Sequence, residues 1–170
     1  KGLISGLFQS IDSYTDLDSS LWKNIPNAVD IYNFNGKHYE FVTGVTAEAV
    51  VLYSRSTIRK NGLDDPYTLW QKGQWNWDTF RSMLEDYVDP DNEKYGLDGY
   101  WAEKALYLSA GVPAVSTSKG ELKSNLDNGD LAKAMNFSYN LYAKGLVFDN
   151  SGFGGTEQPQ FMGEGKELFY

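Results

Sequence analysis

Short apolar runs alternate along this chain with helices that are marked at both ends. Residues 49–53 form an unbroken run rich in β-branched side chains, and a longer amphipathic stretch begins at Asn76 and ends at Asp89-Pro90. An unbroken apolar run of this length predicts a strand covered on both faces, as in a parallel sheet with helices on either side. Strands that alternate with helices indicate an α/β fold.

Turn and capping signals place the other elements. Asn35-Gly36, between residues 31–34 and 37–42, predicts a tight β-hairpin because both positions accept a positive φ. Residues 54–60 predict two helical turns, and Asp65-Pro66 predicts an extended or turned stretch. We expect short helical turns in residues 1–30 and a helix over 100–110. A helix capped by Asn76 is expected to carry an apolar stripe of Trp77, Phe80, Leu84 and Tyr87-Val88. A further helix after Asp130 is expected to present Leu131, Met135, Leu141 and Tyr142 and to stop at Gly145.

Charge and composition exclude several functions. Twenty-three acidic against 15 basic residues give a net charge of −8, which argues against a nucleic-acid partner. With no cysteine and His38 alone as histidine, the chain has neither a thiolate metal site nor a two-histidine zinc motif. No apolar stretch approaches the roughly 20 residues of a membrane span.

The first residue is Lys1 and the last residues are apolar, so we expect these 170 residues to be part of a longer protein.

Two groups of residues suggest ligand sites, but neither matches the residue pattern of the motif that it suggests. The carboxylates of Asp89, Asp91 and Glu93 invite a calcium loop, but the sequence lacks the required glycine and the final glutamate. The glycines of 151–155 and 162–166 match neither the P-loop nor the dinucleotide fingerprint. We therefore predict neither a metal nor a cofactor.

Aromatic residues are in surplus, with five Trp, twelve Tyr and nine Phe. The pair Trp75 and Trp77 flanks a helix start and is expected in the core. Tyr100-Trp101 follows Gly96-Leu97-Asp98-Gly99, where large rings are more easily left exposed. An exposed ring can stack on the apolar face of a pyranose while carboxylates, here Asp98 and Glu48, bind its hydroxyls. On these residues alone, a sugar platform and core packing both stay open.

Several segments, in order, resemble one family. They are Asn35-Gly36-Lys37-His38-Tyr39, residues 45–53, residues 60–66 followed by 75–80, Leu126-Asp127-Asn128, and Phe161-Met162-Gly163-Glu164-Gly165-Lys166. Their order and spacing are similar to those of the extracellular solute-binding proteins of family 1, the sugar-binding components of ABC importers. The chain departs from the family pattern at Tyr53-Ser54-Arg55, where Tyr-Asn-Lys is usual, and at Glu167-Leu168, where Ala-Met is usual.

The resemblance implies a fold and a function. The fold would be one lobe of a periplasmic-binding-protein-like (type II) two-lobe clamp, a small sheet flanked by helices. Residues 1–44 would end the first lobe and form the crossing hairpin, and residues 45–170 would form an incomplete second lobe. The protein would bind a mono- or oligosaccharide between its lobes through Glu48, Asp98, Tyr100 and Trp101, without catalysis.

The same resemblance implies partners and a location. The protein would pass its sugar to the permease subunits of an ABC transporter. We expect a monomer in the periplasm or on the cell surface, held at a membrane only through a lipid anchor outside this chain.

Two alternatives stay open. The first is a fragment of a glycoside hydrolase with Asp98 and Glu103 as acid and base, although residues five apart near a helix start converge poorly. The second is a clamp for a solute other than a sugar.

Overall fold

A computed structural model describes residues 2–23, 25, 29, 33–40, 49–118 and 121–170. The chain divides into two compact units. One comprises Lys1–Glu48 with Val115–Ser124, and the other comprises Ala49–Ala114 with Asn125–Tyr170. The assignment of residues 1–44 and 45–170 to two lobes of a clamp stays a prediction.

The helices and strands follow one another in mixed order. They are β1 (Asn33–Phe34), β2 (Lys37–His38), α1 (Arg55–Lys60), α2 (Pro66–Gln71), α3 (Trp77–Tyr87), β3 (Tyr95–Leu97), α4 (Ala102–Leu108), β4 (Val115–Ser118), β5 (Glu121–Ser124), α5 (Gly129–Ala143), α6 (Gln160–Glu164) and β6 (Glu167–Phe169). Short 3-10 turns lie at Pro90–Asn92 and Asn150–Phe153.

The first unit is built from turns and hairpins. Its described part from residue 2 to residue 29 forms turns, and no α-helix occurs there. β1 and β2 pair antiparallel, and Asn35 and Gly36 join them with φ values of 54° and 72°. This confirms the hairpin predicted from Asn-Gly, although residues 31, 32, 41 and 42 of the expected strands lie outside the described residues. β4 and β5 form a second antiparallel hairpin.

In the second unit, capping residues begin the helices, and Asn76 is the cap that the sequence predicts. Ser54 caps α1 by accepting from the Thr57 amide, and Asn76 caps α3 by accepting from the Thr79 amide. The helix predicted over 100–110 is shorter, at Ala102–Leu108.

In this unit the predictions for Asp65-Pro66 and for residues 49–53 are wrong. Asp65-Pro66 begins α2 instead of an extended stretch, because Asp65 accepts from the Thr68 amide and proline fits the first helical turn. Residues 49–53 form no strand, and Val50, Val51 and Leu52 are exposed. Among the described residues, this segment pairs through hydrogen bonds between Leu52 and Tyr170 and a bridge between Tyr53 and Phe169.

The apolar stripe of α5 is also displaced from its predicted position. Met135 and Tyr142 are exposed, and the buried side of the helix carries Leu131, Ala134, Phe137, Ser138 and Leu141. The buried positions follow Leu131 by three, six, seven and ten residues, which centres the stripe on Ala134, Phe137 and Leu141 and puts Met135 and Tyr142 at its margin.

A small parallel sheet lies at the centre of this unit. β3 pairs with β6, with Tyr95 opposite Glu167 and Leu97 opposite Phe169. Helix α3 packs on β3, and α6 packs beside β6. One hydrophobic core surrounds the sheet, and its buried members are Ile58, Leu69, Phe80, Met83, Leu84, Tyr87, Leu97, Phe137, Leu141, Leu146, Leu168 and Phe169. Trp75 and Trp77 pack against this core, as predicted.

Candidate functional site

Strand β3 leads directly into the predicted site, and backbone hydrogen bonds fix both of its edges. On one edge it pairs with β6, and the Asp98 amide continues that pairing by donating to the Phe169 carbonyl at 3.0 Å. On the other edge the Leu97 amide donates to Leu146 O at 3.0 Å, and the Phe148 amide donates to Leu97 O at 2.8 Å. The residues that follow Leu97 therefore start from a fixed point.

A glycine is needed both before and after Leu97. A Cβ built on Gly96 would lie 2.1 Å from the Leu146 carbonyl oxygen, so only glycine allows the backbones to approach this closely. Gly99 has a φ of +127°, a conformation that other residues rarely adopt. It turns the chain out of the sheet toward Tyr100.

Asp98 ties two loops together. Its side chain is buried, with the residue 4% exposed, and its two carboxylate oxygens each accept a backbone amide at 2.7 Å, Oδ1 from Gly99 and Oδ2 from Gln158. Charged acceptors make the stronger hydrogen bonds of proteins, so this residue fixes the loop that carries Tyr100 against the segment around Gln158. The geometry favours a supporting role for Asp98, and its direct contact with a ligand stays a prediction.

Tyr100 and Trp101 project from this loop into solvent. They are 74% and 58% exposed, and their ring centroids lie 4.8 Å apart at an interplanar angle of 88°. The Lys104 ammonium stands 5.0 Å from the centroid of the Trp101 ring and covers one of its faces. Neither ring belongs to the core, so the core-packing interpretation of this pair is wrong.

Glu48, the remaining predicted contact, lies outside the described residues. Its role stays a prediction.

A second exposed aromatic pair was not foreseen from the sequence. Tyr67 and Trp70 of α2 stack with centroids 5.8 Å apart at 28°, and the Arg55 guanidinium lies 5.9 Å from the Tyr67 centroid. Their spacing of three residues on a helix is the only sequence signal, and such spacing is as typical of core packing.

The carboxylates of Asp98 and Glu103 do not resemble an acid–base pair. Asp98 is buried with both oxygens bonded to backbone amides, whereas Glu103 is exposed and accepts from the Tyr107 hydroxyl. Among the described residues, no group of three or more acidic or histidine side chains is placed to hold a metal ion.

Comparison with known proteins places the fold. The structure matches the ABC substrate-binding protein Lmo0181 from Listeria monocytogenes, solved in complex with cycloalternan, with a TM-score of 0.65 and 17% identity over 98% of this chain and 42% of that one. The fold therefore matches part of the fold of an ABC substrate-binding protein, as the resemblance implied. No profile of a protein family matches the sequence.

A sequence relative agrees with this result. The chain is 28% identical over 106 residues, 62% of its length, to the maltotriose-binding protein of Pyrococcus abyssi, of which that match covers 20%. The chain thus spans less than half the length of either relative. Both relatives are named as binding proteins, which agrees with the resemblance to the solute-binding proteins.

Proposed function

We propose that the chain is part of the second lobe of a carbohydrate-binding component of an ABC importer, which binds a mono- or oligosaccharide without breaking a bond. The observation that carries this proposal is the exposed pair of Tyr100 and Trp101, held at a right angle on a loop that Asp98 fixes. Large exposed rings on a rigid loop are a costly use of apolar surface unless a ligand covers them.

The right angle decides how a sugar would lie. Lys104 covers one face of the Trp101 indole, and the Tyr100 ring stands perpendicular to the indole, so a sugar would stack on the part of the indole that these two side chains leave exposed. A pyranose ring has an apolar C–H face that suits this surface, and its hydroxyls remain free for polar groups around it. One sugar unit would stack on Trp101 with Tyr100 forming a wall at its side.

The relatives indicate which sugars to try first. One is named for maltotriose and the other was solved with cycloalternan. An oligosaccharide is therefore the leading ligand class for this chain, and a solute other than a sugar is the alternative.

The whole protein would deliver its ligand to membrane permease subunits from outside the cytoplasmic membrane, as a monomer in the periplasm or on a lipid anchor. In the described part of the chain no helix has the length and apolarity to cross a bilayer. Glu48 would contribute a further hydroxyl contact, and residues 1–44 would belong to the end of the first lobe.

Saturation-transfer NMR tests the ligand class, because it detects the weak binding expected of a fragment. The chain is mixed in turn with maltotriose, cycloalternan, an amino-acid mixture and a short peptide. Transfer to the ring protons of either sugar, with unchanged sugar after a day, supports the proposal. Transfer to the amino acids or the peptide alone would assign the chain to another solute, and release of new reducing ends would favour the hydrolase.

A further inference from the structure

Three asparagines in this chain are followed directly by glycine. The pairs are Asn35-Gly36, Asn61-Gly62 and Asn128-Gly129. In such a pair the backbone nitrogen of glycine can attack the asparagine Cγ, because glycine has no side chain to hinder the approach. The new C–N bond closes a succinimide ring, and the Cγ–Nδ2 bond breaks to release ammonia. Water then opens the ring at either carbonyl, which leaves aspartate or isoaspartate.

Hydrogen bonds hold the Asn61 side chain at both of its polar atoms. Asn61 Nδ2 donates to the Thr57 carbonyl at 2.8 Å, and Asn61 Oδ1 accepts from the Lys94 ammonium at 2.9 Å. The nitrogen that would attack is also engaged, since the Gly62 amide donates to the Arg59 carbonyl at 3.2 Å. Ring closure at Asn61 therefore requires the loss of several hydrogen bonds that the end of α1 provides.

Asn128 is held by the helix that it caps. Its Oδ1 accepts from the Asp130 amide at 2.9 Å and from the Leu131 amide at 3.2 Å, at the start of α5. Turning the Asn128 Cγ toward the Gly129 nitrogen would break this N-cap and leave two helix amides without their acceptor.

The Asn35 side chain has no comparable restraint. Asn35 is exposed at the tip of the β1–β2 hairpin, and its side chain makes no hydrogen bond within the described residues. The Gly36 amide donates to Oδ1 of Asn33 at 3.0 Å. This acceptor belongs to an exposed side chain, which can exchange its hydrogen bond with water at little net cost.

We propose that Asn35 is a site of spontaneous deamidation, and that the fold protects Asn61 and Asn128 from the same reaction. The co-reactant is water, and the products are ammonia and a chain with aspartate or isoaspartate at position 35. This inference is independent of sugar binding.

The position of Asn35 gives the modification a structural consequence. Isoaspartate adds one carbon atom to the backbone inside a two-residue turn, whose conformation sets the register of the strands. In β1 and β2 that register pairs Asn33 with His38 and Phe34 with Lys37. The isoaspartate form is therefore expected to lose this pairing.

Peptide mapping by mass spectrometry measures the three sites separately. Trypsin cuts after lysine and arginine, so the asparagines fall on different peptides, residues 24–37, 61–72 and 124–133. The chain is incubated in mildly alkaline buffer, once folded and once unfolded in urea, and fragmentation spectra locate each conversion of an amide to an acid. Asn35 is expected to react in the folded chain nearly as fast as in urea. Asn61 and Asn128 are expected to react at least about tenfold more slowly than in urea, the factor that one net hydrogen bond can supply.

Two outcomes of this comparison would overturn the proposal. One is that folding slows Asn35 as much as it slows the other two sites. The other is that Asn61 or Asn128 reacts in the folded chain as fast as Asn35.

Two variants test the reason for the difference. Lys94→Ala removes one partner of the Asn61 side chain, so it should speed the reaction at Asn61 and leave Asn35 unchanged. Asn35→Gln should abolish the fast reaction in peptide 24–37, because attack on the longer side chain would have to close a larger ring. An unchanged Asn61 rate in Lys94→Ala would show that hydrogen bonds do not set the protection. A fast reaction that persists in Asn35→Gln would place the modification at another asparagine. Far-ultraviolet circular dichroism confirms that each variant is folded at the incubation temperature.

Discussion

Replacing Glu167 by glutamine is expected to stabilise the protein at neutral and alkaline pH. Glu167 is the first residue of β6 and is 1% exposed, and its Oε2 is buried with no hydrogen-bond partner among the described residues. Burial, and then the negative charge of Asp98, raises the pKa of Glu167 from 4.5 to about 8. The folded protein therefore holds a proton on this carboxyl that the unfolded chain has already released.

The sign and size of the effect follow from this difference. Below the unfolded pKa of 4.5 both states are protonated, and the group leaves stability unchanged with pH. As the pH rises from there to about 8, only the folded state binds the proton, so the free energy of unfolding falls by about 1.4 kcal/mol per pH unit. The accumulated loss is about 5 kcal/mol, comparable with the whole stability of a small domain. Glu167→Gln carries no such proton and removes this slope.

Urea unfolding followed by tryptophan fluorescence at pH 5, 6, 7 and 8 measures the effect. The unchanged chain should lose stability steadily across this series, and Glu167→Gln should lose much less and exceed it clearly at pH 8. Asp86→Asn, which alters an exposed carboxylate on α3, should keep the slope of the unchanged chain. Equal slopes for Glu167→Gln and the unchanged chain would refute the assignment of a buried, protonated carboxyl.

Two further substitutions test the loop that carries the aromatic pair. Gly96→Ala should destabilise the protein by about 2 kcal/mol or more in urea unfolding, because the added Cβ meets the Leu146 carbonyl at 2.1 Å; a change below about 0.5 kcal/mol would contradict this close approach. Asp98→Ala should cost about 1–3 kcal/mol and speed amide hydrogen exchange at Gly99 and Gln158, since both amides lose their acceptor; unchanged exchange at these two amides would show that Asp98 does not fix the loop.

Local signals predicted much of the secondary structure. The cap at Asn76 and the turn at Asn35-Gly36 were visible because each depends on a few neighbouring residues. Asp65-Pro66 was misinterpreted because the same pair that ends one element can begin another: aspartate is a good N-cap and proline a good first helical residue.

Burial was harder to predict than helix positions. Val50, Val51 and Leu52 have the composition of a covered strand, yet they are exposed, and Leu52 exchanges backbone hydrogen bonds with Tyr170 just after β6. Tyr142 was assigned to an apolar stripe, whereas it lies half exposed. The composition of a segment indicates which of its side chains can be buried. Which neighbours cover them depends on contacts between residues that are far apart in the sequence.

The candidate site was partly visible in the sequence. The loop context of Tyr100-Trp101 indicated exposed rings, and the structure exposes them. The buried position of Asp98 was not foreseeable, because its partner amide at Gln158 lies 60 residues away.

Stacking of a sugar on Trp101 can be tested by comparing two exposed tryptophans of this chain. Trp101 and Trp70 are 58% and 63% exposed, both on the surface of the same compact unit. Titration of maltotriose by NMR into Trp101→Ala and Trp70→Ala gives the two dissociation constants. We predict that Trp101→Ala weakens binding about tenfold or more and that Trp70→Ala leaves it unchanged. Equal affinities for the two variants, or a loss confined to Trp70→Ala, would contradict the assignment.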